Sequence, residues 1–382
     1  MKKTLILLMV AVFAISLSFV GVGCAQEAAE TTAAATTAAE TTAAATTAAE
    51  TTAAETTMAA EETGLPEMTF TGKKWEDVKV GYVMPYLEGW FFYWDLGFKV
   101  PMEANNIYSE TILTYWDPEA ELQGVRDFIT KGFDAISLQT ASPDVAQSAA
   151  QICNEAGIPL FIDNTDVAEG PGKATADVEM DWVEVGRQFG LGIIDNVFGA
   201  KVVAMQGAPG FPVVLKQEQG MQEVLDANPG AFEVVQTEYN KDYSTEVTFN
   251  GLSAIIQSGK EFNCVIGGYQ EATEASIEAM KANDVSLDDI FVISGNGGPL
   301  DEANFIDGDL DAAVSEPVGF HAMLVATTIL TYLSTGEAPE LQLTPIVWVE
   351  RENWEETLIP WEVDETWIPV AANFVKTGVL EY

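Results

Sequence analysis

The chain has 382 residues, 48% hydrophobic and 10% aromatic, which is enough for a sizeable core and excludes a wholly disordered protein. Seventeen Lys and Arg stand against 59 Asp and Glu, a net charge of −42, so nucleic acid and anionic membrane surfaces are repelled rather than bound. One histidine (His321) and three cysteines leave no His/Cys metal cluster and no Cys/His nucleophile pair, which removes zinc hydrolases.

In chain order, Met1-Lys2-Lys3 and the apolar run 4–20, ending in Gly21-Val22-Gly23-Cys24, predict a secretory signal over 1–23. No other stretch is expected to reach the length of a membrane-spanning helix. From Ala25 to Thr63 the chain is almost only Ala, Thr and Glu, in a ten-residue unit that starts at Glu30 and again at Glu40. It has no apolar face to bury, so 24–73 is predicted to be a flexible linker, reaching roughly 35 Å. Setting aside the two signal lysines and seven linker glutamates leaves 15 basic against 52 acidic residues, a net −37 on the remainder. So much like charge predicts a stability that rises with added salt.

Beyond the linker, short apolar runs suited to buried parallel strands recur at 79–84, 111–115, 134–139 and 158–163. Leu122, Val125, Phe128 and Ile129 mark one helix face between them, and Val145, Ala149, Ile152, Cys153 and Ala156 another. A second strand series follows at 201–206, 233–238, 264–268 and 291–295, with helices near 213–228, 245–258, 271–283 and 319–334. Two βα series predict an α/β protein of two doubly wound parallel-sheet lobes. Ligands in such sheets bind beyond the carboxyl ends of the strands, so two facing lobes make a cleft. Cys153 and Cys264 fall in different lobes, and no disulfide between them is expected.

Several segments carry a family resemblance. Tyr82-Val83-Met84-Pro85 followed by Glu88-Gly89-Trp90-Phe91-Phe92 resembles the first strand and aromatic loop of type I periplasmic binding proteins. Lys131-Gly132-Phe133-Asp134-Ala135-Ile136 and Asn154-Glu155-Ala156-Gly157-Ile158-Pro159 are similar to two further landmarks of that family. Gln206-Gly207-Ala208-Pro209-Gly210, Gln219-Gly220-Met221 and Asp307-Gly308-Asp309-Leu310 continue the series in order, so the resemblance covers 74–334. Within that family the sequence looks most like the ribose- and galactose-type sugar-binding component of ABC importers. Cys24 is similar to the lipidated cysteine of a bacterial lipoprotein, with Gly21 standing where that motif prefers Leu.

The resemblance implies 74–181 plus 317–343 as first lobe, 182–316 as second, and 344–382 as a hinge-crossing tail, with three crossings near Asp181, Glu316 and after Leu343. It also implies a ligand platform at Trp90, Phe91 and Phe92, where aromatic faces match the C–H face of a sugar ring. The alternative for these aromatics is packing of the following helix. Asp163 and Asn164 end the fourth strand, where good turn chemistry is the alternative role, and Asp181 and Trp182 stand at the first crossing. The second lobe contributes Gln217, Tyr243 beside Asp242, Tyr269 and Gln270, Asn296 in a glycine-flanked turn, and Glu316 at the last crossing. His321 is expected to be a satisfied histidine of core or surface. The family's arginines are absent, which argues against an acidic ligand.

The expected function is therefore that of an exported, lipid-anchored monomer without catalysis, cofactor or metal, at the periplasm or outer face of the plasma membrane. It captures a small neutral ligand, a sugar or polyol, and delivers it to an ABC transporter permease. A nucleoside suits the extra Trp and Tyr, and a cation suits aromatic faces with Glu316 or Asp163. A sensor ectodomain presenting the ligand to a receptor is the competing role.

Overall fold

The computed structural model describes residues 70–381; the predicted signal, Cys24 and most of the predicted linker lie outside the described residues. The chain runs β1 (Lys79–Met84), α1 (Trp90–Ala104), β2 (Tyr108–Leu113), α2 (Pro118–Thr130), β3 (Ala135–Gln139), α3 (Pro143–Ala156), β4 (Leu160–Asp163) and β5 (Ala176–Met180). It continues through α4 (Trp182–Asn196), β6 (Ala200–Gln206), α5 (Pro212–Ala227), β7 (Phe232–Tyr239), α6 (Thr245–Gln257), β8 (Cys264–Gly267), α7 (Gln270–Ala282), β9 (Phe291–Asn296), α8 (Pro299–Asp307) and β10 (Ala312–Ser315). It ends with α9 (Val318–Thr335), β11 (Leu341–Thr344), β12 (Val347–Glu350), α10 (Trp354–Thr357) and α11 (Ile368–Thr377).

These strands form two six-stranded sheets, ordered β11-β5-β4-β3-β1-β2 and β12-β10-β9-β8-β6-β7. All pairings are parallel except β12 against β10. Each sheet is thus a doubly wound lobe, as the alternating strand and helix patterns predicted. Local chemistry sets the element ends. Asp117 caps α2 by accepting from the Glu119 and Ala120 amides at 2.9 and 3.2 Å, with Pro118 in the first turn. Ser142 caps α3, and Gly157 closes it in the left-handed conformation (φ 71°) that favours glycine.

The first lobe's core is built around stacked rings. Tyr82 of β1 lies 3.8 Å from Trp94 of α1, and Trp94 lies 4.9 Å from Phe98, all three fully buried. Burying each such side chain contributes about 1.5–3 kcal/mol. α1 and α9 cross so closely that a Cβ on Gly97 would stand 2.2 Å from the Gly319 carbonyl oxygen, which demands glycine at 97. α9 is long and apolar enough to cross a membrane, contrary to the expectation that only the N-terminal run would be. It is instead a core helix, packed on all sides by α1, the first sheet and α11.

The predicted strand 111–115 is shifted: β2 begins at Tyr108 and stops at Leu113, in register with Lys79–Met84 of β1. It stops because Tyr115 and Trp116 both adopt positive φ (55° and 58°), which no strand accommodates. Four strands (β5, β10, β11, β12) and five helices (α1, α4, α8, α10, α11) add to the predicted set.

The chain passes between the lobes at Asp181, at Glu316-Pro317 and at Pro345-Ile346, and then a fourth time. α10 lies against β12, and Trp354 stacks on Phe305 of α8 with ring centroids 6.1 Å apart. Residues 358–367 then return, and α11 packs on α9. Trp361, 3% exposed, is the midpoint of that return: its ring meets Tyr93 of α1 at 5.4 Å, and its indole N–H approaches the Asn296 carbonyl at 3.4 Å. The expected three-segment hinge therefore has a fourth segment, because the tail's large apolar rings are buried across both lobes.

Candidate functional site

Between the lobes lies a cleft of about 860 Å³, within the range of small-molecule sites. Four of its polar side chains come from strand ends, where a doubly wound sheet exposes backbone and side chains together. Gln139 ends β3, Asn164 follows β4, Gln206 ends β6 and Asn296 ends β9. Its apolar lining comes from the loops and first helical turns just beyond: Tyr86, Trp90, Phe91 and Trp116 from one lobe, Phe211, Tyr243 and Tyr269 from the other.

The helical period decides the fate of the five consecutive aromatics. Trp90 and Phe91 line the cleft, Trp94 enters the core, Tyr93 packs on Trp361, and Phe92 points outward at 44% exposure. Phe92 is therefore not part of the platform. Phe91 is the hub of the remaining rings, with centroids 5.1 Å from Trp90, 6.0 Å from Tyr86 and 5.9 Å from Trp116, all steeply tilted. Trp116 also meets Phe211 edge-on at 5.9 Å, so a ring from each lobe closes the cleft on one side.

Several expected ligand residues turn out to be committed to the protein. Asp163 is fully buried: one oxygen meets His321 Nε2 at 2.8 Å and the other accepts from the Tyr82 hydroxyl at 3.2 Å. His321 Nδ1 is 2.7 Å from the Thr344 hydroxyl, so the lone histidine is a satisfied core residue. Asp181 caps α4, accepting from the Glu184 amide at 3.0 Å. Gln270 is buried beside the cleft, its Oε1 accepting from the Leu300 amide at 3.1 Å. Glu316 is fully buried behind Asn296, which donates to it at 2.5 Å. Burial pushes its pKa up to about 8, against the Asn296 hydrogen bond and helped by the Asp301 charge. None of Asp163, Asp181, Gln270 and Glu316 lines the cleft.

The remaining expected residues do line it: Trp90, Phe91, Asn164, Trp182, Gln217, Tyr243, Tyr269 and Asn296. Asn164, at φ 55°, spends its own Oδ1 on the Met180 amide at 3.0 Å. Gln217 is held where α4 and α5 cross, since a Cβ on Gly186 would stand 1.9 Å from its carbonyl oxygen. The Tyr243 and Tyr269 rings meet at 5.0 Å, and the Tyr269 hydroxyl accepts from Asn240 at 3.1 Å. Gln139, Gln206, Trp116, Phe211 and Glu271 line the cleft without having been anticipated. The strand-end rule pointed to the two glutamines; nothing in the sequence marked Trp116. Among the described residues, no group of three or more His, Cys, Asp or Glu side chains could hold a metal ion.

On the side of the cleft near the first crossing, the lobes are joined by an ion pair. Lys216 of α5 is 2.8 Å from Glu179 of β5 and 3.1 Å from Asp166.

Two doubly wound lobes facing each other across a cleft at their strand ends define a two-lobed binding protein. The chain belongs to the periplasmic binding protein family: the family model described as a periplasmic binding protein domain matches residues 80–337. The ribose import binding protein RbsB of Bacillus subtilis is 24% identical over 201 residues, which span 52% of this chain and 63% of the relative's length. The D-apiose import binding protein of Paraburkholderia graminis is 25% identical over 240 residues, 61% of this chain and 75% of that protein. The myo-inositol binding protein of Caulobacter, in a structure bound to myo-inositol, superposes with a TM-score of 0.66 at 17% identity, covering 75% of this chain and 96% of that one. At that identity the likeness establishes the fold.

Proposed function

We propose that this chain is an exported, lipid-anchored solute-binding protein that captures a sugar or polyol between its lobes and passes it to an ABC transporter permease, without chemical change to the ligand. The observation that carries the reading is the cleft itself. Amide side chains at four strand ends line it, Gln206 with a buried Oε1 that no protein group engages and that can accept from a hydroxyl, and aromatic faces from both lobes match a C–H face. The import and sugar-binding names of the relatives support it. Cys24 is the proposed lipid attachment point, and the lobes are proposed to close on the ligand because it contacts both at once.

A thermal-shift screen of the exported domain over pentoses, hexoses, inositols, other polyols and nucleosides tests the ligand class. A ligand held by the folded state alone raises the melting temperature by an amount set by its concentration over Kd. Small-angle scattering on the best hit should show compaction. Failure of every sugar and polyol to shift the transition, with a nucleoside succeeding, overturns the sugar reading. For the anchor, Cys24→Ser should move the protein from the membrane to the soluble fraction.

A further inference from the structure

The charges facing the cleft are lopsided. Apart from tyrosines, its ionisable lining groups are Glu88, Asp242, Glu271 and Lys241, three carboxylates against one ammonium, and no arginine is among the lining residues. Glu88, Lys241 and Asp242 are exposed at the rim, whereas Glu271, in the first turn of α7, is half-buried. None of the three carboxylates takes part in an ion pair among the described residues. This contrasts with Asp163 and Glu316, which are fully buried, off the cleft lining and engaged by His321 and Asn296.

The side-chain hydrogen bond that Glu271 Oε1 receives is long, 3.4 Å, from the neighbouring Gln270 amide. The same oxygen lies 3.7 Å from where a Cβ on Gly89 would stand. A carboxylate of one lobe thus reaches the turn of the other that leads into Trp90 and Phe91. Burial raises its pKa above the ordinary value, opposed by its own backbone amide and by Gln270, as expected for an acid without a cation beside it. A carboxylate next to aromatic faces is the arrangement that holds an ammonium, through charge on one side and ring quadrupoles on the other. The net charge of −42 adds a long-range field that draws cations toward the protein.

We propose that the natural ligand is an aminated sugar or polyol, its ammonium seated on Glu271 beside Trp90 and Phe91 and its hydroxyls on the strand-end amides. This rests on the cleft being a sugar or polyol site and adds the ligand's charge. It departs from the neutral ligand expected from sequence, because the carboxylate that faces the cleft is neither of the two considered there.

Calorimetric titration at pH 7 with matched pairs tests it: D-glucosamine against D-glucose, D-galactosamine against D-galactose, and glucamine against sorbitol. At least one amine is expected to bind at least tenfold more tightly than its neutral partner. Glu271→Gln should erase that preference by weakening the amine far more than its neutral partner, and Glu271→Asp should retain it. Circular dichroism checks that both variants fold. Tighter binding of the neutral partners, or a preference that survives in Glu271→Gln, overturns the charge assignment and leaves the sugar site standing. No binding by any member of either set overturns the sugar reading and this proposal with it.

Discussion

Replacing Lys216 by Met tests whether the ion pair between the lobes is a structural brace. Met keeps most of the stem's volume and removes the charge, leaving Glu179, with its side chain 7% exposed, without its cation. Burial already raises the Glu179 pKa, and the Lys216 hydrogen bond and charge hold that rise in check. Nearby, burial and the Glu179 charge push Asp177 up to about 9, so the pocket has no spare positive charge to offer. Breaking a buried pair by deleting one partner costs about 3–5 kcal/mol. The Lys216 side chain is 22% exposed, so solvent screening reduces the expected cost to about 2–3 kcal/mol at pH 8. The cost should depend on pH with a definite sign. In the variant, folded Glu179 has a further raised pKa, so the folded state holds a proton that the unfolded chain has already released. Stability is then retained at low pH and lost as pH rises through that folded-state pKa, by up to about 1.4 kcal/mol per unit for one proton. Urea unfolding followed by tryptophan fluorescence at pH 5, 7 and 8 measures the gap between parent and variant. The gap should be about 2–3 kcal/mol at pH 8 and under about 1 kcal/mol at pH 5. A gap that does not vary with pH, or one below about 0.5 kcal/mol at pH 8, would falsify the brace.

Other buried acids extend the same logic to the parent protein. Burial pushes Glu121 and Asp301 up to about 7 and Glu316 up to about 8, so their contribution is full below the ordinary carboxylate range and is lost as pH rises through 7–8. The melting temperature should therefore fall between pH 6 and pH 9, and a rise over that interval contradicts the burial argument. Phe91→Ala should weaken ligand binding tenfold or more, whereas Phe92→Ala, at a residue 44% exposed and off the cleft, should change affinity less than threefold; calorimetry with the best ligand separates the two. Trp361→Ala removes a ring that is 3% exposed and touches both lobes, and should cost about 3–5 kcal/mol in urea unfolding. With 59 acidic residues and 17 basic ones to offset them, the protein should melt at a higher temperature in 1 M sodium chloride than at low salt. A flat or falling salt series leaves solubility as the explanation of the acidity.

The parts of the fold legible in the sequence are those where burial is two-sided. Val80 to Met84, Leu160 to Asp163 and Cys264 to Gly267 are buried throughout, so their apolar runs announce a central parallel strand. β11 and β12 close the outer edges of the two sheets, where β11 alternates exposed and buried residues and β12 is mostly half-buried. Four residues of such a pattern are too few to distinguish from loop. α1 was obscured for another reason. Pro101 sits inside the helix and Gly97 at its crossing with α9, two residue types that ordinarily break helices, and the close approach to Gly319 explains the glycine. The fourth crossing could not be placed either, since the partners of Trp361 lie at Tyr93 and Asn296, far away in sequence.

In the site, residue type and strand position were legible but orientation was not. Asp163 and Asn164 are adjacent at the end of β4; Asp163 turns inward to Tyr82 and His321, while Asn164, at positive φ, lines the cleft although its Oδ1 accepts from the Met180 amide and its Nδ2 lies 3.2 Å from His321 Nε2. Period-two alternation permits one of the two to face the ligand, and no local signal says which. Trp116 reaches the cleft only because two consecutive bulky residues adopt positive φ, a strained conformation that a sequence gives no reason to expect and that commonly accompanies a functional surface. The same inward turn takes Asp163 and Glu316 out of the ligand's reach and leaves Glu271 as the half-buried carboxylate that meets the cleft. Which acid lines the cleft is therefore a consequence of where the backbone twists, so the charge selectivity proposed for it follows from the fold, with the overall excess of acidic residues adding a long-range field.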